Sequence, residues 1–122
     1  MSARIVVAED SDTILSLIVL ALKREGFEPA TATNGEDAIA RIRELRPELV
    51  ILDALMPKGD GYEVCRALRE EPGLERPYVI MLTASTRAGD RQRAEAAGVD
   101  EYITKPFSPS ELRTRVREIL GP

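Results

Sequence analysis

A chain of 122 residues is long enough for one domain with a buried core, and 43% hydrophobic with 31% charged residues is ordinary globular composition rather than fibrous or disordered material. Seventeen basic against 21 acidic residues give a net charge of -4, which argues against a phosphate-gripping field and so against nucleic-acid binding by this domain itself. The single Cys65 cannot form an internal disulfide, and the lack of histidine excludes Cys/His zinc sites and histidine acid–base chemistry.

Arg4 to Ala8 is a short β-branched run that predicts a first strand ending in two acids, Glu9 and Asp10. Ser11 or Asp12 caps a helix running to about Glu25, with Gly26 as its left-handed stop. The apolar run Ile14–Leu22 within it is too short for a bilayer and follows no basic leader, so neither signal peptide nor anchor is expected, and the location is cytoplasmic. That run exceeds one core stripe, so part of it either packs on a neighbouring helix or forms an exposed docking patch. Glu28 to Thr33, short, polar and carrying Pro29, predicts a second strand at a sheet edge. Asn34 caps a helix with Ala38, Ile39, Ile42 and Leu45 inward, closed by Pro47.

Leu49 to Leu52 reads as a strand buried on both faces, and it stops at Asp53 before the turn Met56-Pro57-Lys58-Gly59-Asp60-Gly61. Tyr62 to Glu70 predicts a short helix with Val64, Cys65 and Leu68 on its inner face, Cys65 being a small core residue. Tyr78 to Leu82 is another continuous apolar strand and ends in Thr83. The next helix, within Arg87 to Ala97, has only alanines as an apolar face and contains Gly89, which makes it the loosest element expected. Gly98 stops it, Val99 to Thr104 is the fifth strand, and Ser108-Pro109-Ser110-Glu111 is a capping box that opens the last helix, with Leu112, Val116, Ile119 and Leu120 inward.

Five strands alternating with five helices predict an α/β fold, a doubly wound parallel sheet covered on both faces, with its chemistry at the carboxyl ends of the strands. Glu9, Asp10, Asp53, Thr83 and Lys105 all stand at such ends and must converge on one rim. Clustered carboxylates call for a cation, and an all-oxygen, histidine-free site suits Mg2+. A hydroxyl and an ammonium beside it would hold a tetrahedral oxyanion, and an aspartate so placed can itself accept a phosphoryl group.

Through Glu9-Asp10, Asp53-Ala54-Leu55-Met56-Pro57 with Asp60-Gly61, Thr83-Ala84 and Lys105-Pro106-Phe107, residues 1–122 resemble a bacterial two-component response-regulator receiver domain. The resemblance implies the flavodoxin-like strand order 2-1-3-4-5. It makes Asp53 the phosphoacceptor of a sensor histidine kinase or phosphotransfer protein, with Thr83 and Lys105 on the phosphoryl oxygens. Asp10, Asp53 and the backbone carbonyl of Leu55 would bind magnesium, with Glu9 acting mainly through water. It also implies a cis Lys105-Pro106 bond and a switch in which Tyr102 turns inward as Thr83 moves. The implied activity is that of a signalling switch that catalyses its own aspartyl phosphorylation and dephosphorylation, rather than of a metabolic enzyme. Leu55 and Ser85 flank the path of an attacking water, so a long-lived phosphoryl group is expected.

Asp90-Arg91, Asp100-Glu101-Tyr102 and Glu111 with Arg115 are similar to the winged-helix transcription-factor branch. That implies a phosphorylation-dependent homodimer with Arg91 facing Glu111 and Glu101 facing Arg115 across a two-fold axis. The sequence stops at Gly121-Pro122, so either the chain docks on a partner alone or an output domain follows residue 122. A haloacid-dehalogenase-type phosphatase would need an acid where Leu55 stands, and a flavin binder a phosphate loop where Glu9 and Asp10 stand. The alternative that survives is a phosphorylation-independent interaction module of the same fold.

Overall fold

The computed structural model describes residues 4–74, 76–84 and 88–121; Ser85 lies outside them. The described residues form five strands, β1 (Ile5–Ala8), β2 (Ala30–Ala32), β3 (Leu49–Asp53), β4 (Tyr78–Thr83) and β5 (Glu101–Thr104). They alternate with five helices, α1 (Asp12–Arg24), α2 (Gly35–Leu45), α3 (Gly61–Glu70), α4 (Ala88–Ala97) and α5 (Pro109–Leu120). The sheet is parallel throughout, in the order β2-β1-β3-β4-β5, so β2 and β5 are its edges.

The continuous apolar runs become central strands because a strand's side chains point alternately to two faces, and here both faces are covered. Val6, Val50, Leu52, Val79 and Met81 pack with Ala38 and Ile42 of α2, Val64, Cys65 and Leu68 of α3, and Ala94 and Ala97 of α4. Ile5, Val7, Leu49, Ile51, Ile80 and Leu82 pack on the other face with Ile18 and Leu22 of α1 and Leu112 and Val116 of α5. Each fully buried Leu, Ile or Val contributes on the order of 1.5–3 kcal/mol, so the three central strands carry most of the apolar stabilisation.

The caps follow the sequence. The side chains of Ser11, Asn34 and Ser108 accept from Ile14, Asp37 and Glu111 N–H at 3.3, 2.9 and 3.3 Å. β2 is shorter than Glu28–Thr33, and β5 begins at Glu101 rather than Val99. The second difference has a local cause: Gly98 and Val99 N–H donate back to Glu95 and Ala94, closing α4, while Asp100 N–H donates to Val79 of β4. In α1, Ala21 and Leu22 are buried, whereas Leu17 and Leu20 are 45% and 51% exposed, so the surplus apolar residues divide between the core and the surface. No helix among the described residues is long and apolar enough to cross a membrane.

Candidate functional site

Strands β1, β3, β4 and β5 are consecutive neighbours, so the residues at their carboxyl ends meet. Single carboxylate oxygens of Glu9, Asp10 and Asp53 lie within 4.8 Å of one another. Glu9, Asp53 and Thr83 are buried and Asp10 is exposed, which leaves the cluster open on one side. The loop after β5 brings Lys105 back over the rim: its N–H donates to the Thr83 carbonyl at 2.6 Å, and its Nζ lies 3.0 Å from Glu9 Oε1 and 2.9 Å from Asp53 Oδ1. The Lys105–Pro106 peptide bond is cis, as the resemblance implies.

The electrostatics follow from this packing. Burial pushes the Glu9 carboxyl above its usual range, against hydrogen bonds from Ser11 N–H at 3.1 Å and from Lys105. Burial also acts to lower Lys105, but hydrogen bonds to Asp53 and Glu9 outweigh it and leave the ammonium more firmly protonated than usual. One cation is thus set among three acids. The remaining donors are all oxygens, with one acid open to solvent, which fits a hard divalent cation that keeps several waters.

The β3–α3 loop is fixed against the site by close backbone approach. Gly61 N–H donates to the Ala54 carbonyl at 3.0 Å, and a Cβ on Gly61 would stand 2.4 Å from the Asp53 carbonyl oxygen, so no larger residue fits there. Asp60 caps α3, accepting from Glu63 N–H at 2.9 Å. Leu55, two residues past Asp53, is 72% exposed over this rim.

Tyr102 is half-buried on β5, with the Arg91 guanidinium 5.4 Å from its ring centre. Glu111 is exposed in the first turn of α5. Arg115 is already paired within its own chain: Nε donates to Glu101 Oε2 at 2.8 Å, Nη2 also reaches Glu101, and Tyr78 Oη donates to Glu101 at 3.0 Å. The Glu101–Arg115 pairing expected between two copies is therefore available inside one.

Two arginines that the sequence did not single out organise α4. Arg69 of α3 donates to the Gly98 carbonyl from Nε and Nη2 at 3.0 and 2.7 Å, to Pro77 at 2.8 Å and to Asp100 at 2.7 Å. Asp100 also accepts from Val79 N–H at 2.8 Å and pairs through Oδ1 with Arg76 at 2.7 Å, so its carboxylate is taken up within the chain. Arg93 lies 3.0 Å from Asp60 Oδ2 and 4.1 Å from the Tyr62 ring centre. Neither was legible because Gly98 and Asp100, partners of Arg69, and Asp60, the partner of Arg93, lie 29, 31 and 33 residues away and carry no spacing signal; Asp60-Gly61 alone stood in a motif.

The family model for the response regulator receiver domain matches residues 5–117. The chain is 42% identical over 120 residues to the phosphate regulon transcriptional regulatory protein PhoB of Rhizobium meliloti, covering 98% of this chain and 53% of that protein. The chemotaxis response regulator CheY4 of Vibrio cholerae superposes with a TM-score of 0.90 at 28% identity, over 98% of this chain and 99% of that one. Response regulator DrrB, a Thermotoga maritima OmpR/PhoB homologue, superposes with a TM-score of 0.87 at 32% identity, over 98% of this chain and 53% of that one. The chain spans about half the length of the curated relatives it matches. Sheet order, acidic rim and sequence agree, and the chain belongs to the response regulator receiver domain family of two-component systems.

Proposed function

We propose that residues 1–122 act as one cytoplasmic receiver domain that takes a phosphoryl group onto Asp53 in a Mg2+-dependent reaction. The donor is a sensor histidine kinase or phosphotransfer protein. The observation that carries this reading is the placement of the Lys105 ammonium 2.9 Å from Asp53 and 3.0 Å from Glu9, at a buried rim where three carboxylates meet.

Asp53 would attack phosphorus through a carboxylate oxygen while the P–N bond of the donor's phosphoimidazole breaks and its electron pair returns to the ring nitrogen. Lys105, released in part from Asp53, holds a phosphoryl oxygen as a point charge, and the Thr83 hydroxyl donates to another. Glu9 keeps Lys105 oriented from the buried side. Glu9, Asp10, Asp53 and the Leu55 carbonyl are the groups that would hold magnesium, which supplies positive charge against the crowded anions.

The donor would approach over the exposed Leu17 and Leu20, which flank Asp12, Thr13 and Ser16 on the helix that leaves the rim at Asp10. The output would be a change at α4, β5 and α5, with Thr83 and Tyr102 as the switch pair. A phosphorylation-dependent homodimer would use Arg91, Glu101, Glu111 and Arg115. Because Glu101 and Arg115 pair within the chain, that dimer would exchange an internal ion pair for an intermolecular one, so apolar contacts must supply most of its affinity.

The test is mass measurement after incubation with a small acyl phosphate and Mg2+. The expected adduct of one phosphoryl group is lost in Asp53→Asn and in chelator. An adduct that persists in either condition overturns the assignment. A chain that takes no phosphoryl group yet still binds its partner is a phosphorylation-independent interaction module.

A further inference from the structure

We propose that Arg93 is a positioning residue that couples α4 to the loop carrying Asp53, acting through Asp60 and Tyr62; the inference rests on Asp53 being the phosphoacceptor. The amino end of α3 and the end of β3 behave as one body, because Gly61 packs its backbone directly on Asp53 and Ala54. Asp60, the residue before Gly61, divides its carboxylate between two elements. Oδ1 caps α3 through Glu63 N–H at 2.9 Å, while Oδ2 receives Arg93 Nη2 from α4 at 3.0 Å. The same guanidinium lies 4.1 Å from the ring centre of Tyr62, itself buried beside Asp60. A displacement of the acceptor loop thus reaches α4 through one side chain that touches both residues of the α3 amino end.

The contact matters because α4 buries little apolar surface of its own. Its buried side chains are Ala94 and Ala97 alone, and alanines offer small contact area to the core. The carboxyl end is held separately, since Arg69 of α3 grips the Gly98 carbonyl with two donors. Arg93 thus ties α4 to the acceptor loop, while Arg91 lies against Tyr102 of β5 and Arg69 holds the carboxyl end. A planar guanidinium can pair with a carboxylate edge and stack on a ring at once, which a lysine ammonium does less well.

The experiment is amide hydrogen exchange along residues 88–97, in the unmodified protein and after treatment with a small acyl phosphate and Mg2+, with mass confirming the adduct. In Arg93→Gln, exchange in unmodified α4 should rise about three- to thirtyfold, the range that an exposed ion pair and a cation–π contact together supply. Protection of α3 should stay unchanged, since Asp60 still caps it. The change in α4 exchange on phosphorylation should shrink to a small part of the wild-type change. Asp60→Asn keeps a capping oxygen but loses the charge, and it leaves the contact of Arg93 with Tyr62; it should raise α4 exchange less than Arg93→Gln does, and the double variant should be no worse than Arg93→Gln alone. Arg93→Lys should restore part of the coupling. A wild-type-sized response of α4 in Arg93→Gln overturns the inference. If the wild type takes no phosphoryl group, the acceptor reading fails instead, and unaltered α4 protection in unmodified Arg93→Gln then overturns the coupling on its own.

Discussion

Helices α4 and α5 flank the same edge strand but are held in opposite ways. α5 buries Leu112 and Val116 in the core, packs Ile119 and Leu120 against it, and sends Arg113 and Arg117 to Glu25, which caps the carboxyl end of α1. α4 buries two alanines and relies on guanidinium contacts made by Arg91, Arg93 and Arg69. Apolar burial is non-directional and tolerates no separation without cost, whereas exposed ionic and cation–π contacts are individually small and easily re-formed elsewhere. One helix is therefore built to stay, and the other is held by contacts that can be exchanged.

The contrast can be broken hardest from the α5 side. Leu112→Ala, at a site 1% exposed, should lower unfolding free energy by about 2–5 kcal/mol in denaturant titration. On α4, Gly89→Ala tests the reverse direction: a Cβ there meets nothing within 4 Å, so the change should stabilise the protein by up to about 1 kcal/mol and narrow the difference between the helices. Slower release of α4 in the same hydrogen-exchange measurement would show that the gain is local.

A smaller effect is expected at Glu101. The hydrogen bond from Arg115 holds its carboxyl below the usual range, so the pair's contribution is present above the ordinary carboxylate range and is lost as pH falls through the depressed value. Arg115 exposes over a third of its side chain, so screening limits the contribution to about 0.2–1 kcal/mol. Unfolding curves of wild type and Arg115→Gln should differ by that amount near neutral pH and converge in acid; a gap that persists in acid would assign the effect to packing. Least of all should stability respond to Leu17→Ser with Leu20→Ser, within about 0.5 kcal/mol, because both side chains are half exposed or nearly so. That pair should instead slow phosphotransfer from a kinase while leaving modification by a small acyl phosphate unchanged.

The sheet was legible because Ile5–Ala8, Leu49–Leu52 and Tyr78–Leu82 are unbroken apolar runs, a signal that needs no knowledge of partners. The rim was legible for a related reason: an acid or hydroxyl ending such a run can only stand at the carboxyl edge of a parallel sheet. What escaped was long-range and polar. Asp100 stood with Glu101 and Tyr102 in the branch resemblance, yet its carboxylate is taken up within the chain by Arg69 and Val79 N–H, and β5 starts at Glu101 instead of the expected Val99. Arg93 resembled any helix-face cation, because nothing local marks Asp60 and Tyr62 as its partners. Charged side chains reach far enough that their pairing is decided by the fold and not by their neighbours in sequence.

The grip of Arg69 on Gly98 has a geometric consequence. Gly98 has a φ of +90° and a Cβ there would meet the Arg69 side chain at 3.0 Å, so this junction is specified for glycine and for close contact. A ten-residue helix is about 15 Å long, so with one end fastened each degree of tilt carries the other end about 0.3 Å. With this junction as a fulcrum and α4 as its lever arm, a tilt of a few degrees about Gly98 would move the amino end of α4 by about 1 Å while leaving the carboxyl end in place.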